Sequence, residues 1–234
     1  MTATAVVELR RYPVKAMAGE SVDAVTLDAR GFEGDRWFAV WDEDGRMATG
    51  KDSRRFRRRD AVFEYAAKQT GDGVLVSGPG GSWLVGDPAL DSALSERMEA
   101  PVRVVAEGEV SHYDAAGVSI VGTASLDWCR EHLDVDGDVR RLRTNIVVAT
   151  DEPFIEETWT GRSVRLGETE LSIVERTERC RMVDIAQDGL PPQPGWLKSL
   201  GRERELCLGI YASVLTPGRI GLGDHLAIVK DSPA

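Results

Sequence analysis

Cysteine and histidine are scarce in these 234 residues, three of each, and no two cysteines stand close together. An odd, scattered set does not make a disulfide framework, so a reducing compartment is expected and the cytoplasm is the natural placement. His112, His132 and His225 lie far apart, and neither CxxC nor HExxH occurs. Zinc chemistry therefore has no ligands at usable spacing. Long apolar runs are missing as well. Nothing approaches the length that spans a bilayer, and the opening MTATAVVELRRYPVKAM has no signal-peptide core, so no membrane association is expected. Positive charge is in deficit, 29 Lys and Arg against 39 Asp and Glu, for a net charge of −10. A general nucleic-acid binder needs the opposite field, so nucleic acid is not an expected partner. The P-loop and GxSxG are absent too. GPGGS at 78–82 lacks the following lysine and helix and reads as a turn.

What is present is a succession of short strand-like runs. VVELRRY, AVTL, RWFAVW, RMAT, AVFEYAA, GVLVSG and SWLVG follow one another, separated by Gly, Asp and Pro. That spacing predicts a meander or small barrel. RWFAVW–DEDG–RMATG reads as a hairpin turning on Asp-Gly. Two helices are predicted. In GDPALDSALSERMEA, Asp87 is placed to cap and Pro88 to sit in the first turn, with Leu90, Ala93, Leu94 and Met98 on one face. In TASLDWCREHL, the Thr123 hydroxyl is the expected cap and Leu126, Cys129 and Leu133 share a face. Strands return in RTNIVVAT, SVRLG, ELSIVER, LCLGIYASVL and DHLAIVK, interrupted by QDGLPPQPG, whose prolines forbid regular structure. A boundary near residue 100 divides the chain into units 1–100 and 101–234.

Four stretches carry chemistry. In YPVKAMAG, Lys15 follows a strand and leads into a glycine loop. In GDRWFAV, Arg36 stands where a strand begins, either as a contact to a ligand or as half of a surface pair with Asp35. RRLRTNIVV sets Arg140, Arg141, Arg143 and Asn145 before an apolar strand. RTERCRMVD places Cys180 between Arg179 and Arg181. Thiols usually hide among apolar side chains. One flanked by arginine suits a nucleophile or a soft-metal ligand. Basic sites, an asparagine and a lone thiol together fit an anionic ligand that also carries a thiophilic centre.

In order, the chain presents YPVK, then GDRW with its hairpin, R-x-R-x-N-I-V, RC followed by VD and DG, and GIYASVLTPGRIGLGD. Together these resemble the MOSC family (molybdenum cofactor sulfurase C-terminal domain), in the subgroup with an N-terminal β-barrel that includes the amidoxime-reducing components. The resemblance implies a mainly β fold, a MOSC β-barrel plus an N-terminal β-barrel-like domain with a few helices, and a cleft between the two. It implies a bound molybdenum cofactor (molybdopterin), with Cys180 as the metal ligand. Lys15 and Arg36 match phosphate-side residues, and Arg143 and Asn145 match the Arg-x-Asn cofactor contact. Arg141 and Arg179 join the cofactor-binding set as further basic groups, Thr123 and Ser125 fall near positions lining the pocket, and Asp184 is a candidate proton donor. Ala16 stands where relatives often carry serine. The implied activity is reduction of N-hydroxylated small molecules. Electrons would come from a separate flavoprotein or ferredoxin-type donor, because these residues hold no four-cysteine iron–sulfur segment. The alternative is a cofactor or sulfur carrier using a Cys180 persulfide.

Other features read as structural. Cys129 belongs to an apolar helix face and Cys207 to a strand. KDSRRFRRRD, with one aromatic among its basic residues, reads as a solvated loop or the rim of an anion site, and His112 equally as a residue of the cleft mouth or a satisfied surface histidine.

Overall fold

The computed structural model describes residues 4–229. The first half runs through β1 (Val6–Arg11), β2 (Glu20–Ser21), β3 (Ala24–Asp28), β4 (Gly31–Phe32), β5 (Phe38–Asp42), β6 (Met47–Thr49) and β7 (Phe56–Arg58). A 3-10 turn at Asp60–Glu64 leads to β8 (Ala66–Thr70), β9 (Gly73–Gly78), β10 (Gly81–Leu84), α1 (Pro88–Met98) and β11 (Val102–Ala106). The second half adds β12 (Val118–Gly122), α2 (Thr123–His132), α3 (Val139–Leu142), β13 (Ile146–Val148), β14 (Ser163–Leu166) and β15 (Thr169–Glu178). After a proline-rich connector come α4 (Trp196–Arg204), β16 (Cys207–Thr216), β17 (Gly218–Gly221) and β18 (Leu226–Ile228). Lys230, last in DHLAIVK, lies outside the described residues.

The larger sheet has eight strands in the order β18-β14-β15-β16-β12-β13-β1-β2 and curls into an open half-barrel. The three-stranded β17-β3-β4 sheet shares its core, with Val25, Leu27, Phe32 and Ile220 packing on Val118, Ile120, Ile146 and Ile210. The central strands β12 and β13 are buried throughout because both faces are covered. Ile146 and Val148 face the barrel core, whereas Val147 packs among Leu126, Leu142, Trp196 and Leu200 from the helices. These two strands run parallel, which requires a crossover; α2 and α3 provide it. The other unit sets β11-β5-β6-β7 and β10-β9-β8 around α1, with Val14, Met17, Val40, Val62, Leu90 and Leu94 in its core.

The predicted hairpin joins β5 to β6, and the Asp42 carboxylate accepts the Arg46 amide at 2.9 Å. Asp87 caps α1 by accepting from the Ala89 amide at 2.8 Å. The start of α2 differs from the reading of Thr123 as its cap. Gly122 occupies the cap position, and the Thr123 hydroxyl exchanges hydrogen bonds with the Thr150 backbone. Buried Glu156 instead takes the first amide, that of Gly122, at 3.0 Å. Helices α3 and α4 are additions to the predicted pair.

The chain passes between the sheets more than once. β11, just after residue 100, pairs along its length with β5, while β1 pairs with β13 and β3 with β17. A single cut at residue 100 would therefore part hydrogen-bonded strands, and the two units are interleaved. Among the described residues no helix is long and apolar enough to cross a membrane.

Candidate functional site

The interleaving leaves a cleft at the seam, lined by Lys15, Arg36 and Lys51 from one side and by Arg143, Asn145, Arg179 and Cys180 from the other. Its interior volume is about 150 Å³.

Lys15 enters it because Pro13 ends the run from β1 and the Lys15 amide is held by the Phe38 carbonyl at 2.8 Å. Its ammonium is buried, donates to the His112 carbonyl at 2.5 Å and meets Asp114 at 3.2 Å. Burial lowers its pKa most; Asp114 works against that and Arg36 with it, leaving Lys15 at about 8. Inorganic phosphate, mostly a dianion by about pH 8, should bind more weakly as the pH rises past that point and Lys15 loses its proton. Calorimetric titrations from about pH 8 to 9.5 check this, and a flat profile contradicts it.

Arg36 sits at positive φ (51°) just before β5. The pair with Asp35 is not a surface one: Asp35 is fully buried, and its carboxylate holds both the Arg36 guanidinium and the Tyr12 amide. Burial opposes the charge on Arg36, but Asp35, with Tyr113 and Tyr12, more than offsets it and raises the pKa. The other nitrogen of Arg36 donates to the Arg143 carbonyl at 3.0 Å.

Arg143 closes α3 in the left-handed conformation (φ 53°), which swings its side chain to the seam, where it donates to the Met17 carbonyl at 2.7 Å. Its second terminal nitrogen is buried without a hydrogen-bond partner among the described residues. Burial pushes this guanidinium down to about 10, against the pull of Tyr12. The Tyr12 ring centroid lies 4.8 Å from Arg36, 4.3 Å from Arg143 and 5.8 Å from Arg10, so one buried ring steadies three like charges. Tyr12→Leu should therefore weaken phosphate binding about tenfold, and Tyr12→Phe, which keeps the ring, should restore it. Equal loss in both variants would assign the effect to the phenol.

Arg179 is buried and gives its guanidinium to the Leu208 and Leu142 carbonyls, at 2.6–2.8 Å, without a carboxylate among the described residues. Burial lowers its pKa, with Tyr211 and Cys180 acting the other way. Cys180 is half-buried where β15 ends. Asn145 lines the cleft, yet its carbonyl accepts from Ser119 and its amide donates to the Arg10 carbonyl at 3.2 Å; one amide hydrogen remains.

Several residues read from the sequence as part of the site stand elsewhere or face away. Ser125 is buried on α2 and donates to Glu156, and neither it nor Thr123 lines the cleft. Arg141 touches the wall, but its guanidinium is held by Asp136 and by the Ile185 and Pro191 carbonyls, which anchors the proline-rich connector. Arg181 does not flank the thiol with charge; it reaches across the seam to the Gly50 carbonyl and Asp60. Asp184 accepts the Leu197 amide at 2.9 Å at the foot of α4 and is outside the cleft. His112 is buried, bonded to the Arg36 carbonyl and to Trp41, and burial lowers its pKa. Cys129 is core, its thiol pushed up to about 12 by burial. Of the basic run, Lys51 lines the cleft, whereas Arg57, Arg58 and Arg59 pair with Asp42, Asp44 and Asp60, and Arg55 ties down the Ser111 and Tyr113 carbonyls. Lys51, Tyr113 and Asp114 were absent from the predicted set. Lys51 was visible only as one charge of the basic run, and Tyr113 and Asp114 only as neighbours of His112.

The donor set suits an anion bearing a soft centre. Buried Arg179 and the buried nitrogen of half-buried Arg143 carry charge without carboxylates among the described residues, which is costly unless an anion answers it. A thiol stands on the same wall.

Two family models match, the MOSC domain over residues 107–227 and the MOSC N-terminal beta barrel domain over residues 3–118. The chain is 25% identical over 280 residues to mitochondrial amidoxime reducing component 2 of Bos taurus, covering 93% of this chain and 81% of that protein. It is 24% identical over 234 residues to a molybdenum cofactor sulfurase of Caenorhabditis briggsae, covering 88% of this chain but only 33% of that protein. The solved structure of the YUAD protein from Bacillus subtilis shares the fold, with TM-score 0.54 and 16% identity across 97% of this chain and 94% of that one. With more than half its length matched by the MOSC domain and the barrel domain preceding it, the chain belongs to the MOSC family.

Proposed function

We propose that the chain holds the molybdenum cofactor in the seam cleft and reduces N-hydroxylated compounds with electrons from a separate flavoprotein or ferredoxin-type donor. The observation carrying this reading is the set of cations, buried Lys15 and Arg179 and half-buried Arg143, gathered on one cleft with the Cys180 thiol. Lys15, Arg36, Lys51 and Arg143 would hold the phosphate, and the unpartnered nitrogen of Arg143 has a hydrogen bond to give it. The Cys180 thiolate would be the soft protein ligand to molybdenum, and Arg179 would balance negative charge from behind the strand. Bound there, the cofactor supplies oxygen-atom transfer, by which an N–OH compound, two electrons and two protons yield the amine and water. The protein's part is to bind, to orient and to exclude water at the seam, where Arg181 clasps Gly50 and Asp60. Protein isolated from a molybdenum-replete host, supplied with a chemical reductant, should convert an amidoxime to the amidine. Stoichiometric metal without amidine formation would refute the reductase assignment.

A second reading is a sulfur carrier with a Cys180 persulfide. The half-buried thiol and the relatives named molybdenum cofactor sulfurase favour it. Mass spectrometry showing one added sulfur on Cys180, with no bound pterin, would select it.

A further inference from the structure

Asp114 stands on the crossover that carries the chain from β11 to β12, the passage between the two units. The crossover is pinned up to Tyr113. Glu107 accepts the His112 amide at 2.7 Å and pairs with Arg30, whose guanidinium also donates to the Tyr113 hydroxyl at 2.8 Å. It is pinned again at Gly117, where a Cβ would lie 1.9 Å from the Arg30 carbonyl oxygen, so the two backbones are in contact. Between these points the backbone of residues 114–116 makes no hydrogen bond among the described residues. The arch is held to the cleft through one side chain. The Asp114 carboxylate reaches Lys15 at 3.2 Å and Lys51 at 3.5 Å. The Asp114 side chain is 48% exposed and that of Lys15 only 7%, so the carboxylate caps a buried cation from the solvent side.

We propose that Asp114 is an internal counter-anion for the cleft, exchanged for the phosphate of an arriving ligand, and thereby sets how tightly phosphate-bearing ligands are held. This rests on the cleft being the anion site of the proposed function. A carboxylate and a phosphate dianion competing for the same two ammonium groups repel each other, and the phosphate carries more charge. Asp114 must then leave the lysines, and an arch without backbone hydrogen bonds, with alanine at 115 and 116, can move without breaking a ladder. The carboxylate keeps Lys15 paired while the cleft is empty of ligand. It also makes weakly charged anions poor competitors.

The test is calorimetric titration of inorganic phosphate into the wild-type protein and Asp114→Asn, with Lys15→Ala as a control, and NMR backbone order parameters of residues 113–117 in the wild type. Asp114→Asn should bind phosphate about tenfold more tightly, and phosphate should lower the order parameters of the arch in the wild type. Equal affinities, or an arch whose order parameters do not fall with phosphate, overturn the inference. If Lys15→Ala still weakens binding in that case, the anion site stands and only the exchange fails. No phosphate binding to any of the proteins, with equal pterin content, overturns both. Free phosphate and a pterin phosphate present the same dianion. More pterin retained by Asp114→Asn from the same host assigns the exchange to the cofactor, and equal retention beside tighter phosphate binding assigns it to free phosphate.

Discussion

Replacing Asp35 with alanine should destabilise the protein by about 3–5 kcal/mol, the usual effect of removing one partner of a buried ion pair. Asp35 is fully buried and has two partners, the Arg36 guanidinium and the Tyr12 amide, the latter at 2.7 Å. Without the carboxylate, Arg36 would keep only the Arg143 carbonyl and would sit near a second cation around the Tyr12 ring. The Tyr12 amide would be orphaned as well, and buried donors without partners carry their full desolvation penalty. For a chain of this length the melting temperature should fall by about 10 °C. Urea unfolding measures the free energy directly. Asp35→Asn should be milder, because its carbonyl still accepts from Tyr12, but it should lose the ionic part. A loss under about 1 kcal/mol in the alanine variant would place Asp35 among ordinary surface carboxylates and undo the account of how Arg36 is held.

That pair also illustrates what could be read from the sequence. GDRW marked Arg36 as important, but a neighbouring Asp and Arg look the same whether exposed or buried. The positive φ of Arg36 and the burial around Tyr12 decide it, and both depend on strands far away in the chain. The hairpin of β5 and β6 and the start of α1 were legible because their signals are local: Asp-Gly in one, Asp87 with Pro88 in the other. Helix α4 was not, since it follows prolines and starts from Gly195 without a capping side chain. Helix α3 has only four residues, too few to show a period. Arginines were the least legible. Arg141 and Arg143 lie two residues apart, yet one anchors the connector and the other turns into the cleft at a left-handed helix end. Charge is written in the sequence, whereas side-chain direction comes from the fold. Lys15, Arg36, Arg143, Asn145 and Cys180 do meet on one cleft; Thr123 and Ser125 fail to because their hydroxyls serve the turn into α2.

The largest functional effect is expected at Cys180. Cys180→Ala should bring molybdenum content from near stoichiometric to background while leaving the melting temperature within about 1–2 °C of the wild type. The two halves of that expectation have separate causes. The thiol is the soft donor on the cleft wall that can become anionic, and no nearby thiol replaces it: Cys129 is in the core, Cys207, bonded to the Glu205 carbonyl, is outside the cleft, and Met182 on the same wall offers only a neutral thioether. Stability should hold because Cys180 is only half-buried and its thiol has no hydrogen bond among the described residues. Pterin should be retained in part, since Lys15, Arg36 and Arg143 remain to hold a phosphate. Cys180→Ser keeps the size and supplies only a harder oxygen, so it should behave like the alanine variant for metal. Metal analysis and pterin fluorescence on the same preparations separate the possibilities. Loss of metal with pterin kept makes Cys180 the ligand, and loss of both makes the metal bond the main hold on the cofactor. Metal retained in both variants would remove Cys180 from the coordination sphere and leave its thiol chemistry as the reason for its place on the cleft.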